Sequence, residues 1–133
     1  MKKFTLILTS AGILLTNPVF AESPVTLTCP TTITCHADTG LCDVSAEWTV
    51  NVFNARENFE GTKTLSLTEI AAVKFMPPNY LLMCNYIYSA DYSSITLQAD
   101  VAKLTGANWL YGFGKQTADC STEKDPSQCT GEN

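Results

Sequence analysis

A single, mainly antiparallel β domain with little helix, built as one sheet or as a small sandwich or partial barrel, is what this 133-residue chain predicts. Three observations point there. Ile95, Leu97, Ala99 and Val101 alternate without error with Ser94, Thr96, Gln98 and Asp100, the period of a strand with one face in a core and one in water. Leu81 to Ser89 is apolar on both faces, as a central strand would be, and only Ala90-Asp91-Tyr92-Ser93 separates the two runs, which fits a hairpin. Six cysteines in so short a chain supply the third, because a domain of this size has a small core and gains from covalent ties.

Taken in order, the chain begins with a segment to be set aside. Lys2 and Lys3 precede a mostly apolar run of about ten residues from Leu6 to Leu15, and Asn17-Pro18 breaks it. Val19-Phe20-Ala21 then places small residues where a signal peptidase cuts. A spanning helix needs roughly 20 apolar residues, so residues 1–21 read as a cleaved export signal of bacterial type. The expected destination is the periplasm or the exterior. Cleavage after Ala21 leaves residues 22–133 as one disulfide-bonded domain.

Strands are expected near 25–35, 44–53, 64–75, 80–89 and 94–101. In the first, Val25, Leu27, Cys29, Ile33 and Cys35 share parity, with Pro30 interrupting. Asp38-Thr39-Gly40 is a turn sequence. From Val44 to Val52 the residues Val44, Ala46, Trp48, Val50 and Val52 face one way, and Trp48 is the candidate central aromatic. Asn54 to Thr62 is polar and ends in Gly61, a loop. In Thr64–Phe75 the apolar positions Leu65, Leu67, Ala71, Val73 and Phe75 alternate, with Glu69 marking a bulge or a gap. A helix through Leu67, Ile70 and Ala71 covers less of the segment. Pro77-Pro78-Asn79 turns the chain, and Trp109 to Phe113 is a last apolar patch. From about Thr117 the chain is polar, a tail pinned by Cys120 and Cys129.

An even cysteine count in an exported domain reads as disulfides. Six cysteines allow 15 pairings; spacing favours Cys35–Cys42 and Cys120–Cys129 as local loops, leaving Cys29 for Cys84. There is no C-x-x-C, and His36 is the only histidine, so neither a metal nor a cofactor is expected. Without the leader, 6 basic residues stand against 13 acidic ones, a net charge of −7. That argues against nucleic acid, which needs a basic face, and for the same reason against an anionic membrane surface; no stable membrane anchor is expected. A protein or cell-envelope partner remains.

No catalytic set emerges. Asp38-Thr39-Gly40 matches the triplet of aspartic proteases, but it follows no apolar strand and reads better as a turn. His36 has no evident nucleophile beside it, and Gly112-Phe113-Gly114-Lys115 lacks phosphate-loop spacing. The aromatic residues Tyr86, Tyr88, Tyr92 and Trp109 form the core if both sheet faces are covered, and an amphipathic binding patch if one is open. Core is favoured, since aromatics dominate small cores. The loops Asn54–Thr62 and Ala90–Ser93 offer a second binding region.

Thr28-Cys29-Pro30, the mid-chain Trp48 and Cys84-Asn85-Tyr86 together resemble a group of small exported bacterial proteins of uncharacterised function. The likeness spans most of the mature chain and implies no activity and no catalytic residue. The leader, the small disulfide-tied β domain and the lack of a catalytic set are also similar to periplasmic lysozyme inhibitors. The expectation is therefore an exported binding protein without enzymatic activity. The alternatives are an inhibitor of a cationic hydrolase such as lysozyme, or a small hydrolase using Asp38.

Overall fold

The computed structural model describes residues 24–120 and 125–133. The expected leader and its cleavage site lie outside the described residues. Eleven strands and two single 3-10 turns run in the order β1 (Thr26–Leu27), β2 (Thr32–His36), β3 (Leu41–Cys42), β4 (Thr49–Asn54), β5 (Thr62–Lys74), β6 (Tyr80–Tyr88), β7 (Ser93–Val101), β8 (Lys103–Thr105), β9 (Trp109–Tyr111), a turn at Phe113–Lys115, β10 (Thr117–Cys120), a turn at Pro126–Gln128, and β11 (Thr130–Glu132). All pairings among them are antiparallel. The protein is mainly β.

The large sheet has the order β3-β2-β5-β6-β7-β4, with β10 added to β5 and β9 to β10. It curls until its two edge strands, β3 and β4, face each other across an open groove of about 520 Å³ lined by Leu41, Val44, Trp48, Val50 and Phe53. The result is a nearly closed barrel. A second sheet, β1-β11-β8, packs against it. The contact there is close: a Cβ on Gly131 would lie 2.6 Å from Cγ1 of the buried Val101. A residue with any side chain would not fit without movement.

The hairpin β6–β7 is the centre of the sheet, paired from Tyr80↔Val101 to Tyr88↔Ser93. Tyr80, Leu82, Cys84 and Tyr86 from β6 and Ile95, Leu97, Ala99 and Val101 from β7 point into one core. On the outer face of β6, Leu81, Met83 and Ile87 are half-buried.

Two strands depart from simple alternation, for the same reason. In β5 the register shifts between Leu67 and Glu69, so Thr68 is the extra residue of a bulge. Before it Leu65 points inward; after it Ile70 and Ala72 do. The shared facing expected for Leu65, Ala71, Val73 and Phe75 therefore ends at the bulge. Ala71 and Val73 lie on the outer face and Phe75 is exposed. The same site is where β5 exchanges partners, from β2 (Thr62–Ser66) to β10 (Ala71–Val73).

In β4 the shift falls between Val50 and Val52. Phe53, not Val52, turns inward and packs edge-on against Phe59 at 5.5 Å. The strand also starts late, at Thr49. Residues 43–48 form a connection, with Trp48 N–H donating to Ser45 O at 3.1 Å, and this connection carries Trp48 into the core from outside the strand.

The region expected as a pinned tail contributes β10 (Thr117–Cys120) and β11 (Thr130–Glu132) instead. Small or short side chains at Ala118, Thr130 and Gly131 allow these positions to be buried. Three disulfides tie the layers: Cys29–Cys84, Cys35–Cys42 and Cys120–Cys129. No cysteine is free. That pattern fits a compartment outside the reducing cytoplasm.

Candidate functional site

The aromatic residues singled out by sequence separate on folding. Tyr86 is fully buried and its hydroxyl donates to Pro30 O at 2.7 Å; burial pushes its phenol well above the ordinary range. Trp109 is buried too, its indole N–H shared between Thr105 O (2.9 Å) and Thr130 O (3.1 Å). Neither side chain faces solvent. Tyr88 is half-buried beneath Phe59, with ring centroids 5.7 Å apart. Tyr92 alone of the four stands out, 69% exposed in the β6–β7 turn. Tyr86 and Trp109 lie in the core, the reading favoured from sequence, and the alternative of an open patch of Tyr86, Tyr88 and Trp109 is not met, because the bent sheet covers their face.

Chemistry-bearing residues come together at one further place. His36 Nδ1 lies 3.0 Å from Thr62 Oγ1, and His36 Nε2 lies 3.0 Å from Asp43 Oδ1. Sequence reading missed this row because its members come from β2, β5 and the segment after β3. Hydroxyl, imidazole and carboxylate stand in the order of a nucleophile, base and orienting acid. The row is nevertheless on open surface, with the His36 side chain one-third and the Asp43 side chain two-thirds exposed. Nothing there excludes water from the hydroxyl. Its bonds fasten the β2–β3 hairpin to the start of β5. Asp38-Thr39-Gly40 forms the turn of that hairpin: Gly40 N–H donates to His36 O at 2.9 Å, and Gly40 adopts φ +66°, where glycine carries no Cβ penalty. Among the described residues, no group of three or more His, Cys, Asp or Glu is placed to hold a metal.

A different region carries five exposed apolar side chains. Phe75 and Met76 open the β5–β6 turn; Leu110, Tyr111 and Phe113 belong to β9 and the turn after it. All five are exposed, Met76 at 73% and Phe113 completely. The two loops adjoin. Lys74 N–H donates to Gln116 O at 2.7 Å, and the Tyr80 hydroxyl donates to Lys115 O at 3.0 Å. Each loop is also closed on itself. Phe75 N–H donates to Asn79 O (3.0 Å) and Gly112 N–H to Thr117 O (2.8 Å).

Met76 and Lys115 adopt φ of +48° and +54°, a left-handed conformation that costs non-glycine residues energy and persists where surroundings enforce it. The Lys74 ammonium lies 5.6 Å above the Tyr80 ring and the Lys115 ammonium 5.5 Å above the Tyr111 ring. Partial burial, and then the neighbouring Tyr80, raise the Tyr111 phenol above its usual range. The arrangement is an ordered apolar tip with a cationic collar.

Sequence gave a partial signal for it. Trp109–Phe113 was visible as an apolar patch, but its joining to Phe75-Met76 depends on β10 pairing with both β5 and β9. The opposite end of the barrel differs in charge. Asp38 in the β2–β3 turn, Glu57 and Glu60 before β5, and Asp91 in the β6–β7 turn all lie there, and Glu57, Asn58, Ala90 and Asp91 share a groove of about 580 Å³ with Arg56.

No family model, curated protein or solved structure matches this chain. Among the described residues, no helix is long and apolar enough to cross a membrane.

Proposed function

We propose that this is an exported binding protein of the periplasm or exterior, without catalysis of its own, that contacts its partner through the tip formed by Phe75–Asn79 and Leu110–Gln116. One observation carries the reading: five exposed apolar side chains stand on or beside two loops that hydrogen bonds join and order. Isolated exposed apolar residues are ordinary, whereas a contiguous, ordered group of them marks an interaction surface. Pre-ordering lowers the entropy cost of binding, because the loops need not be fixed by the partner. Export is supported by the leader sequence and by the pairing of all six cysteines.

The test compares wild-type protein with the double variant Phe113→Ser, Met76→Ser, each immobilised and exposed to the exported and envelope fractions of a producing cell. Material retained by the wild type and lost by the variant supports the reading. Identical retention profiles reject it.

A second reading, inhibition of a cationic hydrolase such as lysozyme, draws on the carboxylates of Asp38, Glu57, Glu60 and Asp91 at the far end. Opposed charge would speed encounter with such an enzyme and would fade with salt. Calorimetry with lysozyme checks it: heat that disappears in Glu57→Gln, Glu60→Gln protein favours this end over the tip.

A further inference from the structure

Phe113, fully exposed, and Met76 are the most exposed apolar side chains of the tip. Tyr111 is exposed beside them with the Lys115 ammonium over its ring, and the Lys74 ammonium lies over the ring of the buried Tyr80. Exposed apolar side chains with a tyrosine and lysines close by are the composition of a contact at the headgroup boundary of a bilayer.

The polar groups of the loops point to a partner of the same kind. The Gln116 and Lys115 carbonyls accept from Lys74 N–H and the Tyr80 hydroxyl, and the Gln116 side chain donates to Gly114 O at 3.5 Å. These groups are already engaged within the tip, while a protein cleft normally adds directional hydrogen bonds around an apolar anchor. A lipid surface asks only for apolar area and positive charge.

Charge is distributed to suit. The chain as a whole is acidic, which taken alone argues against an anionic surface. Yet Asp38, Glu57, Glu60 and Asp91 sit at the far end. The carboxylates nearest the tip end on the sheet's other flank, Glu47 and Asp100, line a groove with Leu81 and Asn133; β7, which carries Asp100, is two strands away from the β5 residue Lys74. Asp119, exposed and directly opposite Leu110 in the β9–β10 pairing, is the carboxylate beside the tip, where Lys74 and Lys115 outnumber it; the far end sets four carboxylates against Arg56 and Lys63.

We infer that the tip docks on the surface of an anionic phospholipid bilayer, with Phe113 and Met76 entering the headgroup–acyl boundary and Lys74 and Lys115 meeting lipid phosphates. This rests on the tip being the binding face. The contact is peripheral and reversible. Two inserted side chains and two lysines give an association constant on the order of 10⁴ M⁻¹, comparable to one short acyl chain.

The test is vesicle flotation with the disulfide-intact mature protein, on phosphatidylethanolamine vesicles containing phosphatidylglycerol and on phosphatidylcholine vesicles. Wild type is expected to float with the anionic vesicles. Phe113→Ser, Met76→Ser should lose at least about tenfold per side chain, and Lys74→Gln, Lys115→Gln about fivefold per lysine on anionic vesicles only. Tyr92→Ser, at the opposite end, should float like wild type. Near-ultraviolet circular dichroism checks that each variant is folded. Wild-type protein left in solution at millimolar lipid overturns the inference, as do tip variants that float normally. If vesicles fail while tip-dependent capture of a protein persists, the lipid partner is wrong and the binding face stands; if both fail, both readings fall.

Discussion

Replacing Cys29 and Cys84 together by Ala should cost far more than removing either of the other bridges. The bridge spans 55 residues of sequence, against 7 for Cys35–Cys42 and 9 for Cys120–Cys129. In the chain-entropy account, restoring freedom to the unfolded loop then costs about 4 kcal/mol for the long bridge and about 2.5 kcal/mol for each short one. Domains of this size are stable by roughly 5–15 kcal/mol, so the long bridge is a large share of the total. The structure adds a local consequence. Both sulfurs are buried, and two residues along β6 the Tyr86 hydroxyl holds Pro30 O. Cutting the bridge leaves that hydrogen bond as the remaining side-chain clamp on the segment that joins β1 to β2. Because β1 pairs with β11, loosening should spread to the second sheet. Urea unfolding followed by tryptophan fluorescence measures the three losses, and hydrogen exchange locates the loosening. Equal urea midpoints for the long-bridge and short-bridge variants, at equal slopes, would refute the loop-closure reasoning.

Two other substitutions probe the core. Tyr86→Phe should cost about 1 kcal/mol from the lost hydrogen bond, and it should also flatten the alkaline limb of the stability curve. Burial raises the Tyr86 phenol in the fold, while the unfolded phenol ionises near pH 10; wild-type stability is therefore complete below about pH 10 and falls as pH rises toward the folded value, by at most about 1.4 kcal/mol per pH unit. Tyr111, raised for similar reasons, leaves a smaller slope in the variant, and parallel wild-type and variant curves would contradict the assignment. Gly131→Ala drives a methyl into Val101 and should cost about 1–3 kcal/mol; in a double-mutant cycle with Val101→Ala the penalty should shrink, and full additivity would show that the two do not touch.

How much of this was legible follows from where each signal resides. The β6–β7 hairpin could be read because its alternation is unbroken over both strands and only a short turn joins them. The mainly β class and the disulfide-rich character follow from the same strand patterns and cysteine count; the choice among one open sheet, a sandwich and a partial barrel does not, because it depends on how far the sheet curls. The two bulges could not be placed with certainty, because a bulge is one extra residue that local composition scarcely marks. Glu69 hinted at the one in β5, which falls at Thr68. Nothing comparable marks Asn51 in β4, and there a single residue exchanges Val52 for Phe53 on the inner face. Phe59 was hidden inside a polar loop, though it is buried against Phe53 and Tyr88. The tip was out of reach for a different reason. Its two loops are about 35 residues apart in sequence and meet through a strand, β10, whose Thr-Ala-Asp-Cys composition carries too little apolar character to announce itself.

The structure also separates what holds the fold from what it displays. Each disulfide joins strands or loops away from the tip, and the buried hydroxyl and indole bonds of Tyr86 and Trp109 lie within the body. The tip keeps its shape chiefly by backbone hydrogen bonds that a change of exposed side chain leaves in place. Phe113 is fully exposed, so removing its ring gives up no buried area in the folded protein. Phe113→Ser should therefore leave stability within about 0.5 kcal/mol of wild type, as for ordinary surface changes. Phe75→Ser, at about half exposure, should cost somewhat more, up to about 1 kcal/mol, since part of its ring leaves a packed environment. Urea unfolding of the two variants reads the difference. A loss above about 2 kcal/mol in Phe113→Ser would mean that the ring supports the fold, and its exposure could then no longer be assigned to binding.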